Sequence, residues 1–210
     1  MLLESNIVLE AFGNSKTVRN DNSSRFGKYI KLQYTSDNQL LSAFTDTFLL
    51  EKSRLVSVGR DERNYHIFYQ LIRGLNATDS SLASQLRLFS VDDFSILTQG
   101  GCTVVGCEGD DVQNFLELRN ALSTLGCSEV EVHSLWELVA VLLHMGNTTV
   151  LPPPPGSDGA CSLHCSSMPI EGISALLAVD VADLATSMTT HRVQAGKRGS
   201  VHIKVGTVVL

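Results

Sequence analysis

At 210 residues the chain suits one or two ordinary domains. With 43% hydrophobic and 18% charged residues it has a globular composition, which excludes wholesale disorder and coiled coil. A formal net charge of −6 argues against a dedicated nucleic-acid binder, whose domain is usually basic.

The longest near-uniform apolar run, 138–145, falls far short of the roughly 18 to 20 residues a membrane span needs. The N-terminus shows no basic, apolar and small-residue leader, so a soluble, intracellular protein is expected. Five cysteines, at 102, 107, 127, 161 and 165, form no CxxC pair and read as reduced thiols. Cys161, His164 and Cys165 are three possible zinc ligands, one short of a tetrahedral set.

Taken in chain order, Leu2, Leu3, Ile7, Val8, Ala11 and Phe12 recur at helical spacing, and Gly13 is a plausible stop. A polar, basic loop occupies 14–28. Aromatic and β-branched residues at 29–34 predict a strand, 36–39 a turn, and 43–55 a return strand, together an antiparallel hairpin. From Arg63 an apolar stripe of Ile67, Phe68, Leu71 and Ile72 predicts a helix ending near Gly74. Segments 110–125 and 129–145 are helical, each followed by glycine. Prolines 152–155 and the Gly-Ser-Asp-Gly that follows predict a surface loop. Pro169 opens another helix, Asp180 interrupts it, and 181–188 continues it. Residues 201–210 alternate weakly, as a strand would. His66 and His144 fall inside helical apolar patterns and are expected to be hydrogen-bonded core histidines.

Charge is uneven. Residues 13–31 and 192–204 are basic, and 108–137 are acidic. The chemically richest segment is 20–28. A loop of amides, hydroxyls, Arg and Lys before a strand can surround a polyphosphate and offer a hydroxyl to Mg²⁺. The same residues can equally bond their own backbone as a polar turn. Gly13-Asn14-Ser15-Lys16-Thr17 is not a phosphate-cradling loop, because Ser15 stands where glycine must precede the lysine. GxGxxG, GxSxG and HExxH motifs are absent.

Longer blocks decide between these readings. Leu9-Glu10-Ala11-Phe12-Gly13-Asn14-Ser15-Lys16-Thr17-Val18-Arg19-Asn20-Asp21-Asn22-Ser23-Ser24-Arg25-Phe26-Gly27-Lys28 resembles the switch I segment of the myosin motor domain with its preceding helix. The resemblance continues in order through Leu49-Leu50-Glu51-Lys52-Ser53-Arg54-Leu55-Val56 and Glu62-Arg63-Asn64-Tyr65-His66-Ile67-Phe68-Tyr69-Gln70-Leu71. It reaches Val139-Ala140-Val141-Leu142-Leu143-His144-Met145-Gly146-Asn147, and thins over 75–105 and after about 148.

The resemblance implies a helix-rich α/β fold, part of the myosin-type P-loop NTPase motor. Helix and switch I would span 1–28, a hairpin of the central sheet 29–55, helices of the upper cleft 56–190, and an actin-facing loop and tail 191–210. It implies ATP and Mg²⁺ as ligands: Ser24 on Mg²⁺, Ser23 beside the γ-phosphate and attacking water, Asn20 on the phosphates. Arg25 would latch switch I to switch II. Arg192, Lys197 and Arg198 would face actin filaments, in a cytoplasmic, cytoskeletal myosin complex containing the rest of a heavy chain. Departures accompany the match. His191 stands where many members have proline, and Leu41-Ser42-Ala43-Phe44 lacks the usual glycine. The family's P-loop and switch II do not occur within these 210 residues. The chain alone is therefore expected not to hydrolyse ATP at a motor-like rate. The alternative is a non-catalytic actin-binding or scaffold fragment.

Overall fold

A computed structural model describes residues 2–153, 161–194 and 200–204. The chain forms two compact units, residues 1–136 and 137–210.

The first unit opens with α1 (Leu2–Gly13), which ends at the expected glycine. The 14–28 loop is not wholly irregular: β1 (Asn14–Ser15) and β2 (Ser23–Ser24) pair antiparallel within it. These two-residue strands carry no alternation long enough to read from sequence.

β3 (Gly27–Tyr34) and β4 (Leu40–Phe48) form the hairpin, in register from Gly27↔Phe48 to Tyr34↔Leu40 with an irregularity at Gln33/Tyr34. Its turn closes through Thr35 and Gln39, with Asn38 at φ 59°, a conformation asparagine tolerates better than most residues. The return strand stops at Phe48, short of the expected 55. Leu49 enters the left-handed region at φ 57°, and a 3₁₀ turn, Lys52–Leu55, follows. The hairpin exposes Tyr29, Tyr34, Leu41 and Phe44. Among the described residues, each strand pairs only with the other.

α2 (His66–Thr78) supplies the centre of the core, with Ile67, Phe68, Tyr69, Leu71, Ile72 and Leu75 all buried. It packs on α5 (Glu108–Thr124) through Phe115, Leu118 and Leu122. Short helices α3 (Ser80–Gln85) and α4 (Ser95–Thr98) lie between them in sequence. Phe115 meets Trp136, from the first half of α6 (Glu129–Gly146), with ring centroids 5.4 Å apart. Ser128 and Glu131 cap α6 reciprocally. The Glu131 carboxylate accepts from the Ser128 N–H at 2.8 Å, and Ser128 Oγ accepts from the Glu131 N–H at 3.3 Å.

α2 runs four residues past the expected stop at Gly74. The glycine is there because Phe115 lies directly over its Cα, in space a β-carbon would occupy.

In the second unit, β5 (Thr148–Leu151) and β6 (Ser162–Cys165) pair as a hairpin whose connection carries the proline loop. Residues 154–160 of that loop lie outside the described residues. α7 (Ile170–Leu177) begins immediately after Pro169. α8 (Val181–Thr189) begins at Asp180, whose Oδ1 accepts from the N–H groups of Ala182 at 2.8 Å and Asp183 at 3.2 Å. Val141, Met168, Ile173 and Leu184 form the core of this unit. β7 (Thr190–Gln194) pairs with β8 (Ser200–Lys204). The rest of the expected tail strand, 205–210, lies outside the described residues.

The Gly74 contact yields a test. An alanine there gains up to about 1 kcal/mol of helix propensity but must displace the Phe115 ring, and overpacking costs about 1–3 kcal/mol. We expect Gly74→Ala to lower the stability of the first unit in urea titrations, whereas the same change at an exposed helical site would raise it.

Candidate functional site

The 14–28 segment is held at its base and polar at its tip. At the base, Asn14 and Ser15 are buried, and the Phe26 ring covers Gly13. The Arg25 N–H donates to the Gly13 carbonyl at 2.8 Å, and Ser15 bridges to Tyr65. The Arg63 N–H donates to the Lys16 carbonyl at 3.0 Å. At the tip, Thr17 and Asn20 exchange backbone bonds of 2.8 and 3.3 Å. Asn20 Oδ1 accepts from the Asn22 N–H at 2.9 Å, an Asx turn, and Lys16 pairs with Asp21 at 2.8 Å.

Asn22 ties the tip to the helices. Its Nδ2 donates to Glu10 Oε2 at 3.0 Å, which fixes the amide orientation because a carboxylate only accepts. Its Oδ1 accepts from Asn14 Nδ2 at 2.9 Å and lies 3.2 Å from His66 Nε2. His66 must therefore donate from Nε2. Burial, then the nearby Arg63 charge, pushes its pKa down to about 4. It is a neutral, hydrogen-bonded core histidine, as its place in the apolar pattern predicts. His144 is also a hydrogen-bonded core residue: it is fully buried, with Nδ1 2.8 Å from Ser167 Oγ, whatever its charge.

A cleft of about 350 Å³ opens at the loop, lined by Thr17, Val18, Arg19, Asn20, Ser23, Arg25 and Glu62. Asn20, Ser23 and Arg25 are thus brought together. Ser24 is exposed and does not line the cleft, since neighbouring residues of a strand point to opposite faces. Among the described residues, neither the Ser23 nor the Ser24 hydroxyl has a hydrogen-bond partner.

Arg25 donates from Nε to the Ser24 carbonyl at 3.2 Å, and its Nη1 lies 3.4 Å from Glu51 Oε2. That carboxylate also pairs with Arg54 at 2.8 Å. Arg54 reaches Glu62 at 3.0 Å and the Arg63 carbonyl at 3.1 Å. Glu62 Oε1 accepts from the Val18 N–H at 3.4 Å. Sequence reasoning singled out none of Glu51, Arg54 and Glu62 as site residues. Their only signal is that they fall in the two blocks of resemblance, 49–56 and 62–71, that follow the Arg25 segment. Arg192 lies on β7, opposite His202. Lys197 and Arg198 lie outside the described residues. Among the described residues, no group of three or more Cys, His, Asp or Glu side chains could hold a metal ion.

Comparison with known proteins gives the family. Residues 1–208 match the family described as Myosin head (motor domain). The chain is 38% identical over 196 residues to Myosin-K heavy chain of Dictyostelium discoideum, covering 93% of this chain and 22% of that one. It is 46% identical over 147 residues to Myosin-VIIa of Drosophila melanogaster, covering 70% and 7%. It is 40% identical over 198 residues to Myosin-1 of Saccharomyces cerevisiae, covering 93% and 10%. The chain belongs to the myosin head (motor domain) family. It spans less than a quarter of the length of these relatives.

His66 gives a pH signature. Its folded pKa of about 4 lies below the unfolded value of about 6.5, so the unfolded state takes up the proton first as pH falls. Its contribution to stability is full above pH 6.5 and is lost as pH falls towards 4. Between pH 7 and 5 that loss is about 2 kcal/mol. His66→Gln is expected to flatten this part of the urea-midpoint profile; an unchanged slope would refute the assignment.

Proposed function

We propose that residues 14–25 are the nucleotide-contacting switch of an ATP-driven motor on actin filaments, carried by a longer myosin heavy chain. The observation that carries this reading is the pair of unpartnered hydroxyls, Ser23 and Ser24, on a short strand whose next residue is a carboxylate-paired arginine. The donor set suits Mg²⁺ with a phosphate chain: a hydroxyl for a hard cation, a second hydroxyl and an amide for phosphate oxygens, and a cation beside them. Ser24 would take Mg²⁺, and Asn20 and Ser23 the phosphates. The Asx turn uses Asn20 Oδ1 and leaves its Nδ2 without a partner among the described residues. Mg²⁺, when bound, neutralises charge on the phosphates.

The chain's own residues position. Backbone bonds at the loop base hold the hydroxyls on a fixed strand, and such positioning is most of what phosphoryl transfer asks of a protein. Arg25, loosely held by Glu51, is the residue we assign to latch onto switch II. The exposed hairpin would continue the motor's central sheet, which would cover its apolar side chains. Arg192, Lys197 and Arg198, with no acid among residues 192–204, would meet the acidic surface of actin in the cytoplasm.

The test is Mg²⁺-dependent affinity for a fluorescent ATP analogue, measured on the heavy chain that carries this segment. Losing a hydrogen bond to a charged group costs about 1.5–3 kcal/mol, so Ser24→Ala should weaken binding by about 10- to 100-fold and remove its Mg²⁺ dependence. Unchanged affinity would overturn the switch assignment. Salt-sensitive actin co-sedimentation indifferent to ATP would favour the non-catalytic scaffold instead.

A further inference from the structure

The cleft at the 14–25 loop has three charged side chains on its lining, Arg19, Arg25 and Glu62. Two of them are compensated. Arg25 lies 3.4 Å from Glu51, and Glu62 pairs with the buried Arg54 at 3.0 Å. Lys16, the nearest other cation along the loop, is paired with Asp21 at 2.8 Å. Arg19 has no carboxylate partner among the described residues, and its guanidinium makes no hydrogen bond there. It therefore carries the net charge of the cleft. Sequence reasoning gave it no role.

The backbone beneath this side chain is fixed. Thr17 and Asn20 exchange backbone bonds, so Val18 and Arg19 are the two corner residues of a tight turn. The Val18 N–H donates to Glu62 Oε1 at 3.4 Å, which ties that corner to Arg54. The turn sets Arg19 at the cleft beside Asn20 and Ser23, while its guanidinium, unlike that of Arg25, is uncommitted. The opposite side of the loop is electrostatically different. A cavity of about 520 Å³ there is lined by five carboxylates and by no lysine or arginine. An anion is drawn to the cleft side and repelled from the other.

We propose that Arg19 is a further phosphate-contacting residue of the cleft, donating two parallel N–H groups to oxygens of the polyphosphate chain that Asn20 and Ser23 contact. The inference rests on the nucleotide reading above and adds to it the one cation at the cleft with charge to spare. A guanidinium fork matches the spacing of phosphate oxygens, and its charge strengthens both bonds. Arg25 is placed differently, because Glu51 already holds it.

Binding of a fluorescent ATP analogue, and its competition by inorganic tripolyphosphate, tests this on the heavy chain that carries the segment. Arg19→Gln should weaken both ligands by about 3- to 10-fold, the effect of one net hydrogen bond. It should also flatten the dependence of affinity on salt and leave the Mg²⁺ dependence intact. Arg19→Lys keeps the charge without the fork, so it should restore the salt dependence and only part of the affinity. Arg19 is exposed and unpartnered among the described residues, so both variants should keep the fold. The inference falls by itself if Arg19→Gln binds as the native chain does while Ser24→Ala still weakens Mg²⁺-dependent binding. It also falls if the nucleotide is weakened and tripolyphosphate is not, since the contact then lies on base or sugar. If both Ser24→Ala and Arg19→Gln are without effect, the switch reading fails and this inference fails with it.

Discussion

Arg63 and Asp111 are joined by two bonds, of 3.0 and 3.3 Å, with the arginine side chain wholly removed from water. Arg73 closes on the same carboxylate, and the Arg63 guanidinium lies 3.8 Å from the centre of the Tyr69 ring. A buried pair of this kind adds little by existing, but separating it leaves an uncompensated charge that costs about 3–5 kcal/mol. That asymmetry makes it a constraint on position. The backbone of Arg63 carries the constraint outward: its N–H holds Lys16 and its carbonyl holds Arg54. Arg54 orders Glu51 and Glu62, Glu51 meets Arg25, and Glu62 accepts from Val18. The Lys16 carbonyl, the Val18 N–H and the Arg25 side chain are thus each within a few bonds of one buried ion pair.

The loop so held presents different chemistry on its two sides. The cleft side offers the Ser23 hydroxyl, the Asn20 amide and the Arg25 cation, a donor set matched to phosphate, and the Ser24 hydroxyl lies exposed beside it. The other side adds Asp21 and Asn22 to a wall of carboxylates. Asn22 links the two through Asn14, Glu10 and His66. A neutral His66 is what lets Asn22 serve both Asn14 and the histidine as acceptor. This arrangement accounts for a buried histidine with no acid of its own.

Long periodic segments were legible from sequence: α1, the β3–β4 hairpin, α2, α5, α6 and the α7–α8 break at Asp180 all follow hydrophobic spacing and caps. What was not legible has physical causes. Gly74 read as a stop because a glycine's local preference is visible, while the ring it admits comes from a residue 41 positions later. Leu49 ended β4 by a left-handed conformation that leucine does not advertise. β5 and β6 are four residues each and flank a proline loop, too short for a pattern to emerge. At the site, Asn20, Ser23, Ser24 and Arg25 stood out through resemblance and local chemistry. Glu51, Glu62 and the Arg63–Asp111 anchor did not, because a pair 48 residues apart leaves no mark in either neighbourhood.

The central claim is that one buried ion pair fixes the loop. Hydrogen–deuterium exchange in the native chain and in Asp111→Asn, followed at residues 14–25, tests it most directly. The account predicts that the protected amides of the 14–25 loop lose protection while those of α7 and α8 in the second unit keep theirs. Unchanged protection in the loop, with any loss confined to α5, would contradict it.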